Sequence, residues 1–135
     1  MTAFALENDL SQLPSGVRRW LDRTPAHFVD GAWHAGGAGL PVIEPSGARP
    51  VANIARGGDA EIDAAVLKAR SALAAPAWRD AGPVAREALL HRLAALIEAR
   101  AEDLALLDCI DNGMPLWLAR GVNVGGSVDV FRYYA

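Results

Sequence analysis

The pattern of hydrophobic and polar positions changes its period near residue 57. Before it, apolar residues occur in short extended runs separated by turn residues, which is typical of β-strands. The run "HFVDGAWH" surrounds Asp30-Gly31, a pair favoured in two-residue hairpin turns because both central positions need a positive φ. The run "LPVIEPSGARPVANIA" repeats this arrangement around Pro45-Ser46-Gly47. We therefore predict two β-hairpins, or one meander.

A helical period begins at Asp59, which we predict to be the N-cap because its side chain can accept a backbone N–H. Apolar residues then recur at spacings of three and four, which places them on one stripe of a helix. This stripe consists of Ile62, Val66, Ala69 and Leu73. Pro76 is expected to end the helix, since proline cannot continue the hydrogen-bond ladder.

A second helix is predicted to start near Pro83 and to end at Gly113, the expected left-handed cap. The apolar pattern thins near Ala101, where we expect a break. Its predicted buried stripe consists of Leu89, Leu93, Leu96, Ile97, Leu104 and Leu107. A third helical segment, 115–135, is expected to be interrupted at Gly125-Gly126.

Residues 1–26 are predicted to form an N-terminal arm, in which "VRRWL" places Val17, Trp20 and Leu21 on one helical face. The arm has too little apolar surface to fold alone, so we expect it to lie along a larger body. The helical stripes are rich in small residues that suit close packing against a further layer. Two hairpins cannot cover three helices, so the chain is predicted to be an incomplete unit.

Composition narrows the function classes. Apolar residues make up 52% and charged residues 21%, which is typical of a globular protein. The net charge of −3 argues against a nucleic-acid partner, which would require a basic face. No apolar run approaches the ~18 residues of a membrane span. The single cysteine excludes an internal disulfide and favours a reducing compartment, so we expect a cytoplasmic protein.

No group of residues in the sequence is sufficient by itself to predict a catalytic reaction. Cys109 lies between Asp108 and Asp111, whose charges would raise its thiol pKa. His91, the candidate base, would lie ~27 Å away on a continuous helix. We therefore favour a structural role for Cys109 over a small thiol enzyme.

Two further candidates are weak. His27 and His34 flank the first hairpin and could pair across it, but no third metal ligand accompanies them. The glycine-rich runs 35–40 and 121–126 lack the spacing of phosphate-binding loops. Surface histidines and structural glycines are the favoured interpretation.

The order of several motifs resembles the N-terminal part of the aldehyde dehydrogenase superfamily, from about residue 27 to the end. These motifs are the Asp30-Gly31 hairpin, Pro45-Ser46-Gly47, "LAALIE", "DNG" followed by Pro115, and "RYYA". Two positions depart from the family pattern, because Glu44 replaces a common Asn and Met114 a common Lys. The arm "LPSGVRRWL" is similar to that of members acting on phenylacetaldehyde-type aldehydes.

The resemblance implies an α/β fold in which residues 27–135 form the N-terminal part of an incomplete NAD(P)-binding domain, as two short hairpins followed by three mainly helical segments. The complete enzyme would oxidise an aldehyde to an acid through a thiohemiacetal on cysteine, passing a hydride to NAD or NADP. The family's nucleophilic Cys, general base and nucleotide motif have no counterparts here, and Cys109 lacks the nucleophile's surroundings. The chain alone is therefore expected to be inactive and to bind no cofactor.

The resemblance also implies sites and partners. Main-chain oxygens of Val42 and Ile43, with Asp111, would hold a structural monovalent cation. Val122 and Gly126 would face the substrate tunnel, where Gly126 leaves room for a bulky aldehyde. The expected partners are the remainder of the fold or homologous subunits, since the family is dimeric or tetrameric.

The chain is thus expected to be a truncated reading frame, a fragment or one piece of a split enzyme. The alternative hypothesis is a non-catalytic interaction module that binds a full-length dehydrogenase subunit through the same apolar helix faces.

Overall fold

Two separate two-stranded antiparallel sheets precede most of the helices in the computed structural model, which describes residues 12–135. The strands are β1 (Ala26–Val29), β2 (Ala32–Ala35), β3 (Gly39–Glu44) and β4 (Arg49–Ala55). β1 pairs with β2 and β3 with β4, so the chain forms two hairpins and not a meander.

The first hairpin turns where the sequence predicts it. Asp30 and Gly31 have φ values of 55° and 76°, so both central residues adopt the positive φ that this turn requires. Phe28 lies opposite Trp33, with ring centroids 5.1 Å apart. The prediction of a two-residue hairpin turn is therefore confirmed.

The second hairpin contains a β-bulge. Val42 pairs with Ala52, whereas the next residue, Ile43, pairs with Pro50. Val51 is therefore the extra residue of β4, and it packs against a buried cluster of the core. Glu44 and Arg49 close the pairing at the turn.

Helices form the rest of the described chain. They are α1 (Ser15–Leu21), α2 (Asp59–Ala74), α3 (Pro76–Arg79), α4 (Pro83–Glu98), α5 (Ala101–Asn112), α6 (Leu116–Leu118) and α7 (Gly125–Tyr134). The predicted break of the second helix is confirmed, since α4 ends and α5 begins on either side of Ala99-Arg100. Gly113, at φ 76°, is the left-handed cap of α5, as predicted.

The predicted N-cap of α2 is wrong by one residue. Gly58 is the N-cap, and Asp59 is already the first helical residue. The Glu61 carboxylate accepts the Gly58 N–H at 2.8 Å, which satisfies a backbone donor at the helix start. Because the cap bond comes from Glu61, the N-cap position needs no polar side chain.

The predicted interruption at Gly125-Gly126 is also misplaced. Both glycines are helical, and the irregularity precedes them as a π-helical segment, Ala119–Val124, between α6 and α7. We call it the π segment. A Cβ on Gly125 would lie 3.1 Å from the Arg120 carbonyl oxygen, so glycine relieves crowding where the wide turn returns to α-helix.

Among residues 12–135, two small clusters of buried residues lie around α5. One contains Leu13, Val17 and Ile110, which are 3%, 0% and 2% exposed. The other contains Ala105, Ala119 and Val124, which join α5 to the π segment. The segment preceding the first hairpin thus contributes to the core. The boundary of the predicted arm at residue 26 stays a prediction, and residues 1–11 lie outside the described chain.

Val17, Trp20 and Leu21 all lie on α1, as the sequence predicts, but Trp20 is far more exposed than Val17. Trp20 is 45% exposed, and the Arg23 guanidinium lies 4.3 Å from its ring centroid. The same guanidinium lies 3.9 Å from the ring of Trp33. Arg23 thereby links α1 to the first hairpin through two cation–π contacts.

The outer helices carry apolar stripes that the described residues leave uncovered. No residue of α2 is buried, and its predicted stripe includes Ile62 and Leu73 at 59% and 65% exposure. On α4, the predicted buried residues Leu89, Leu93 and Leu96 are all exposed, so that part of the prediction is wrong within residues 12–135. In the same range, no helix has the length and apolar character to cross a membrane.

Candidate functional site

An open pocket of ≈ 370 Å³ lies between α1, the second hairpin and α5. Most of its wall is apolar, with Leu21 from α1 and Val42 and Val51 from the hairpin. Asp108 and Asp111, one helical turn apart on α5, provide its carboxylates. The pocket exists because the short helix α1 and the bulged hairpin both pack against α5.

Two of the three predicted cation ligands meet at this pocket. Val42 and Asp111 both line it, while the neighbouring Ile43 side chain is 47% exposed. Main-chain and carboxylate oxygens are hard donors that suit alkali and alkaline-earth cations. Residues 12–135 contain no group of three His, Cys, Asp or Glu side chains that could bind a metal. The cation site therefore stays a prediction.

Asp108 joins the end of α5 to the π segment. Its carboxylate accepts the Asn123 side-chain N–H at 2.6 Å and the Asn112 side-chain N–H at 3.3 Å. The Asn112 side-chain oxygen Oδ1 in turn accepts the Met114 backbone N–H at 2.9 Å. Asp108 and Asn123 were not predicted. The i, i+4 spacing of Asp108 and Asn112 could have indicated their contact, but nothing local indicates Asn123.

Glu44 is a buried carboxylate at the turn of the second hairpin, 3% exposed. It accepts the hydroxyl and the N–H of Ser46, the N–H of Gly47 at 2.8 Å and the Arg49 Nε–H at 3.1 Å. These donors favour the charged form and lower the pKa of Glu44 to about 2, with the Ser46 hydroxyl contributing most. The sequence showed only that Glu44 departs from the family pattern.

Cys109 has the properties of a structural residue. Burial raises the pKa of its thiol, and the Asp108 carboxylate raises it further against the opposing effect of Arg120. The candidate base His91 lies on a different helix, half exposed and 3.9 Å from Glu87. A thiol with a raised pKa is a poor nucleophile, so the geometry does not support a thiol enzyme.

The two predicted tunnel residues lie on and beside the π segment. Val122 is 59% exposed, and a Cβ on the half-buried Gly126 would meet no atom within 4 Å. The space beside Gly126 is therefore open in the described chain. Their assignment to a substrate tunnel stays a prediction.

His27 and His34 face each other across the first hairpin without forming a metal-binding pair. They are register partners, but His34 Nε2 lies 3.1 Å from the Val29 carbonyl oxygen. The buried His27 Nε2 has no hydrogen-bond partner among the described residues. Their arrangement within residues 12–135 supports no metal centre.

Comparison with known proteins agrees with the resemblance seen in the sequence. Residues 33–135 match the model of the aldehyde dehydrogenase family. An NADP/NAD-dependent aldehyde dehydrogenase of Escherichia coli is 34% identical over 110 residues, covering 80% of this chain and 22% of that protein. A phenylacetaldehyde dehydrogenase of Pseudomonas fluorescens is 36% identical over 96 residues, covering 71% of this chain and 19% of that protein.

The fold agrees with the sequence relationship. The structure of an aldehyde dehydrogenase from Bacillus cereus in complex with NAD+ superposes with a TM-score of 0.87 at 30% identity, covering 91% of this chain and 26% of that one. The chain therefore spans about a quarter or less of the length of these relatives. The resemblance seen in the sequence and the partial α/β fold that it implies are confirmed. The chain belongs to the aldehyde dehydrogenase family.

Proposed function

We propose that this chain is the N-terminal part of the cofactor-binding domain of an NAD(P)-dependent aldehyde dehydrogenase. The family match over residues 33–135 carries the proposal. The E. coli relative is named for use of both NADP and NAD, and the B. cereus relative is an NAD+ complex. We therefore expect the complete enzyme to pass a hydride from an aldehyde substrate to NAD or NADP.

The uncovered helix faces support this assignment. Ile62, Val66 and Leu73 of α2, and Leu89 and Leu96 of α4, are each at least 47% exposed. Exposed apolar stripes of this kind are typical of surfaces that bind another part of a protein. Its expected occupant is the remainder of the dehydrogenase fold, whose relatives are about four times as long as this chain.

The chain's own residues would shape the site and not perform the chemistry. Burial raises the pKa of the Cys109 thiol, which makes Cys109 a poor candidate for the family nucleophile. Val122 and Gly126 would border the aldehyde tunnel, and the open space at Gly126 suits a bulky, aromatic aldehyde. The similarity to a phenylacetaldehyde dehydrogenase favours the same substrate class. The isolated chain is expected to be inactive.

A chimera tests the proposal. Residues 33–135 of this chain would replace the matching part of the E. coli relative, and NAD(P)H formation would be followed with phenylacetaldehyde and with acetaldehyde. We expect activity in the chimera, a preference for phenylacetaldehyde over that of the parent enzyme, and none in the isolated chain. A correctly folded but inactive chimera, or aldehyde oxidation by the isolated chain, would contradict the proposal.

The same faces also fit the second candidate, a non-catalytic module that binds an intact dehydrogenase subunit. Mixing the chain with the intact E. coli enzyme distinguishes the two. A stable complex together with an inactive chimera would favour the interaction module. No complex together with an active chimera would favour the dehydrogenase part.

A further inference from the structure

The turn of the π segment contains one residue more than the turn of an α-helix. The N–H of Gly125 donates to the carbonyl oxygen of Arg120, five residues earlier, and also to that of Val122. In an α-helix the same N–H would donate to Gly121, four residues earlier. The helix is therefore wider between α6 and α7, and it holds one additional residue there.

This additional residue allows two side chains to face α5 together. Ala119 and Val124 are 0% and 7% exposed, and they share a buried cluster with Ala105 of α5. On an α-helix, five residues turn through about 500°, so these side chains would point about 140° apart. With hydrogen bonds between residues i and i+5, the two positions lie one turn apart on nearly the same side. The burial of both residues therefore depends on the π-helical register.

The helix that follows the π segment is held in place separately. Val128 of α7 is 5% exposed, and the Arg132 guanidinium lies 2.7 Å from the Glu98 carboxylate of α4. Tightening of the π segment into an α-helix would rotate α7 relative to α6 by about 100°, the angle of one residue. The wide turn is thus the form that fits the contacts on both sides.

Two side chains of the π segment bind α5. Arg120 donates to the Glu102 carboxylate at 2.6 Å, but the two side chains are 49% and 65% exposed, so solvent screens this ion pair. Asn123 donates to the Asp108 carboxylate at 2.6 Å in a partly buried position. A hydrogen bond to a charged group is stronger there, because less water competes for it. Asn123 is therefore the main side-chain anchor of the wide turn.

We propose that the π segment is a register switch, which the hydrogen bond between Asp108 and Asn123 holds in its wide form. When this bond is absent, the turn tightens into an α-helix in a fraction of the molecules. Ala119 and Val124 then no longer pack on α5 together, so the cluster that also contacts Cys109 opens. The switch couples the end of α5 to the rotation of α7. Neither of its states depends on aldehyde oxidation.

The single cysteine makes the switch measurable. Cys109 is the only thiol of the chain, so its reaction with iodoacetamide in the full 135-residue chain reports how often the cluster opens. Asn123→Ala should raise the reaction rate about tenfold or more, because a hydrogen bond to a charged group shifts an opening equilibrium by that factor. The rate should depend only weakly on low urea concentrations, because a local opening exposes little surface.

A matched control removes a hydrogen bond at the same place without changing the register. The Ser127 hydroxyl donates to the main-chain carbonyl oxygen of Asn123 at 2.6 Å, and Ser127 is exposed. Ser127→Ala leaves the contact between Asn123 and Asp108 intact. It should therefore leave the reaction rate of Cys109 nearly unchanged.

A deletion distinguishes a register switch from a hydrogen bond that only adds stability. Gly121 is exposed, and a Cβ there would meet no neighbouring atom within 4 Å. Deleting Gly121 removes the additional residue, so an α-helix should then fit both α5 and α7. In this background Asn123→Ala should no longer raise the Cys109 rate, because no second register remains. A bond that only adds stability, or only alters the charge near the thiol, would raise the rate equally in both backgrounds.

Four results would overturn the switch. The first two are an unchanged rate in Asn123→Ala and a steep dependence of that rate on urea, which indicates global unfolding. The others are an equal rise of the rate in the Gly121 deletion and a deletion variant without a cooperative unfolding transition. All four are measured without aldehyde or NAD(P), so failure here leaves the proposed dehydrogenase function standing.

Discussion

The surroundings of α5 and the outer face of α2 show how differently two amphipathic helices of one chain can be buried. On α5, Ala105 and Ile110 are 0% and 2% exposed, because α1, the hairpin and the π segment pack around them. On α2, no residue is buried, although its apolar stripe is as regular. An apolar stripe therefore predicts a face that needs a partner. It does not say whether the partner lies within the same 135 residues.

A matched pair of isoleucine substitutions tests whether α5 is buried and α2 is exposed. Ile110→Ala removes a buried side chain and should cost about 2–5 kcal/mol in the free energy of unfolding. Ile62→Ala removes a side chain that is 59% exposed and should cost about 0.5 kcal/mol or less. Urea denaturation of both variants measures the difference. Equal losses would show that α2 is packed as tightly as α5.

A pair of glycine substitutions tests the contact between the turn and α5. Gly113→Ala places a side chain at φ 76° and 2.8 Å from Pro45, so it should destabilise the chain by about 1–3 kcal/mol. The control Gly126→Ala lies in a helix with no atom within 4 Å, and should be neutral or stabilising by about 0.5–1 kcal/mol. The same denaturation experiment applies. An unchanged free energy of unfolding in Gly113→Ala would contradict the close contact between Pro45 and the end of α5.

The pH dependence of unfolding tests the hydrogen bonds that Glu44 accepts at the turn of the second hairpin. Its pKa is lowered from 4.5 to about 2 in the folded chain, so its contribution to stability is present above pH 4.5 and is lost as the pH falls towards 2. The difference in unfolding midpoint between the wild-type chain and Glu44→Gln should be largest above pH 4.5 and shrink towards pH 2. A difference that stays constant over this range would contradict the assigned hydrogen bonds.

Glu61, at the start of the exposed helix α2, should contribute a smaller pH-dependent change in stability of the same sign. The backbone N–H of Gly58 lowers the pKa of Glu61, but the residue is exposed and solvent screens the interaction. Glu61→Gln should therefore change the acid branch of the stability curve less than Glu44→Gln does. A larger effect at Glu61 would indicate that the start of α2 is more tightly held than its exposure implies.

Features fixed by neighbouring residues could be predicted from the sequence. The Asp30-Gly31 turn and the Gly113 cap depend on the backbone preferences of one or two residues, and both are present. The position of the π segment could not be predicted, because it depends on contacts such as that between Asn123 and Asp108, fifteen residues apart. Glu44 was visible only as an unusual residue until the turn placed four donors around it.

The candidate sites likewise could not be assembled from neighbouring residues. Val42 and Asp111 are sixty-nine residues apart, and only the resemblance to a family joined them before the structure placed both at one pocket. The burial of α2 and α4 could not be predicted either. Within residues 12–135 their stripes are left exposed.

Hydrogen exchange tests the central claim, which is that the rest of a dehydrogenase fold packs against the exposed faces of α2 and α4. Amide exchange of α2 and α5 would be measured in the isolated chain and in the chimera with the E. coli relative. We predict that α2 exchanges much faster than α5 in the isolated chain and becomes protected in the chimera, while α5 changes little. Equal protection of α2 in both proteins would contradict the account.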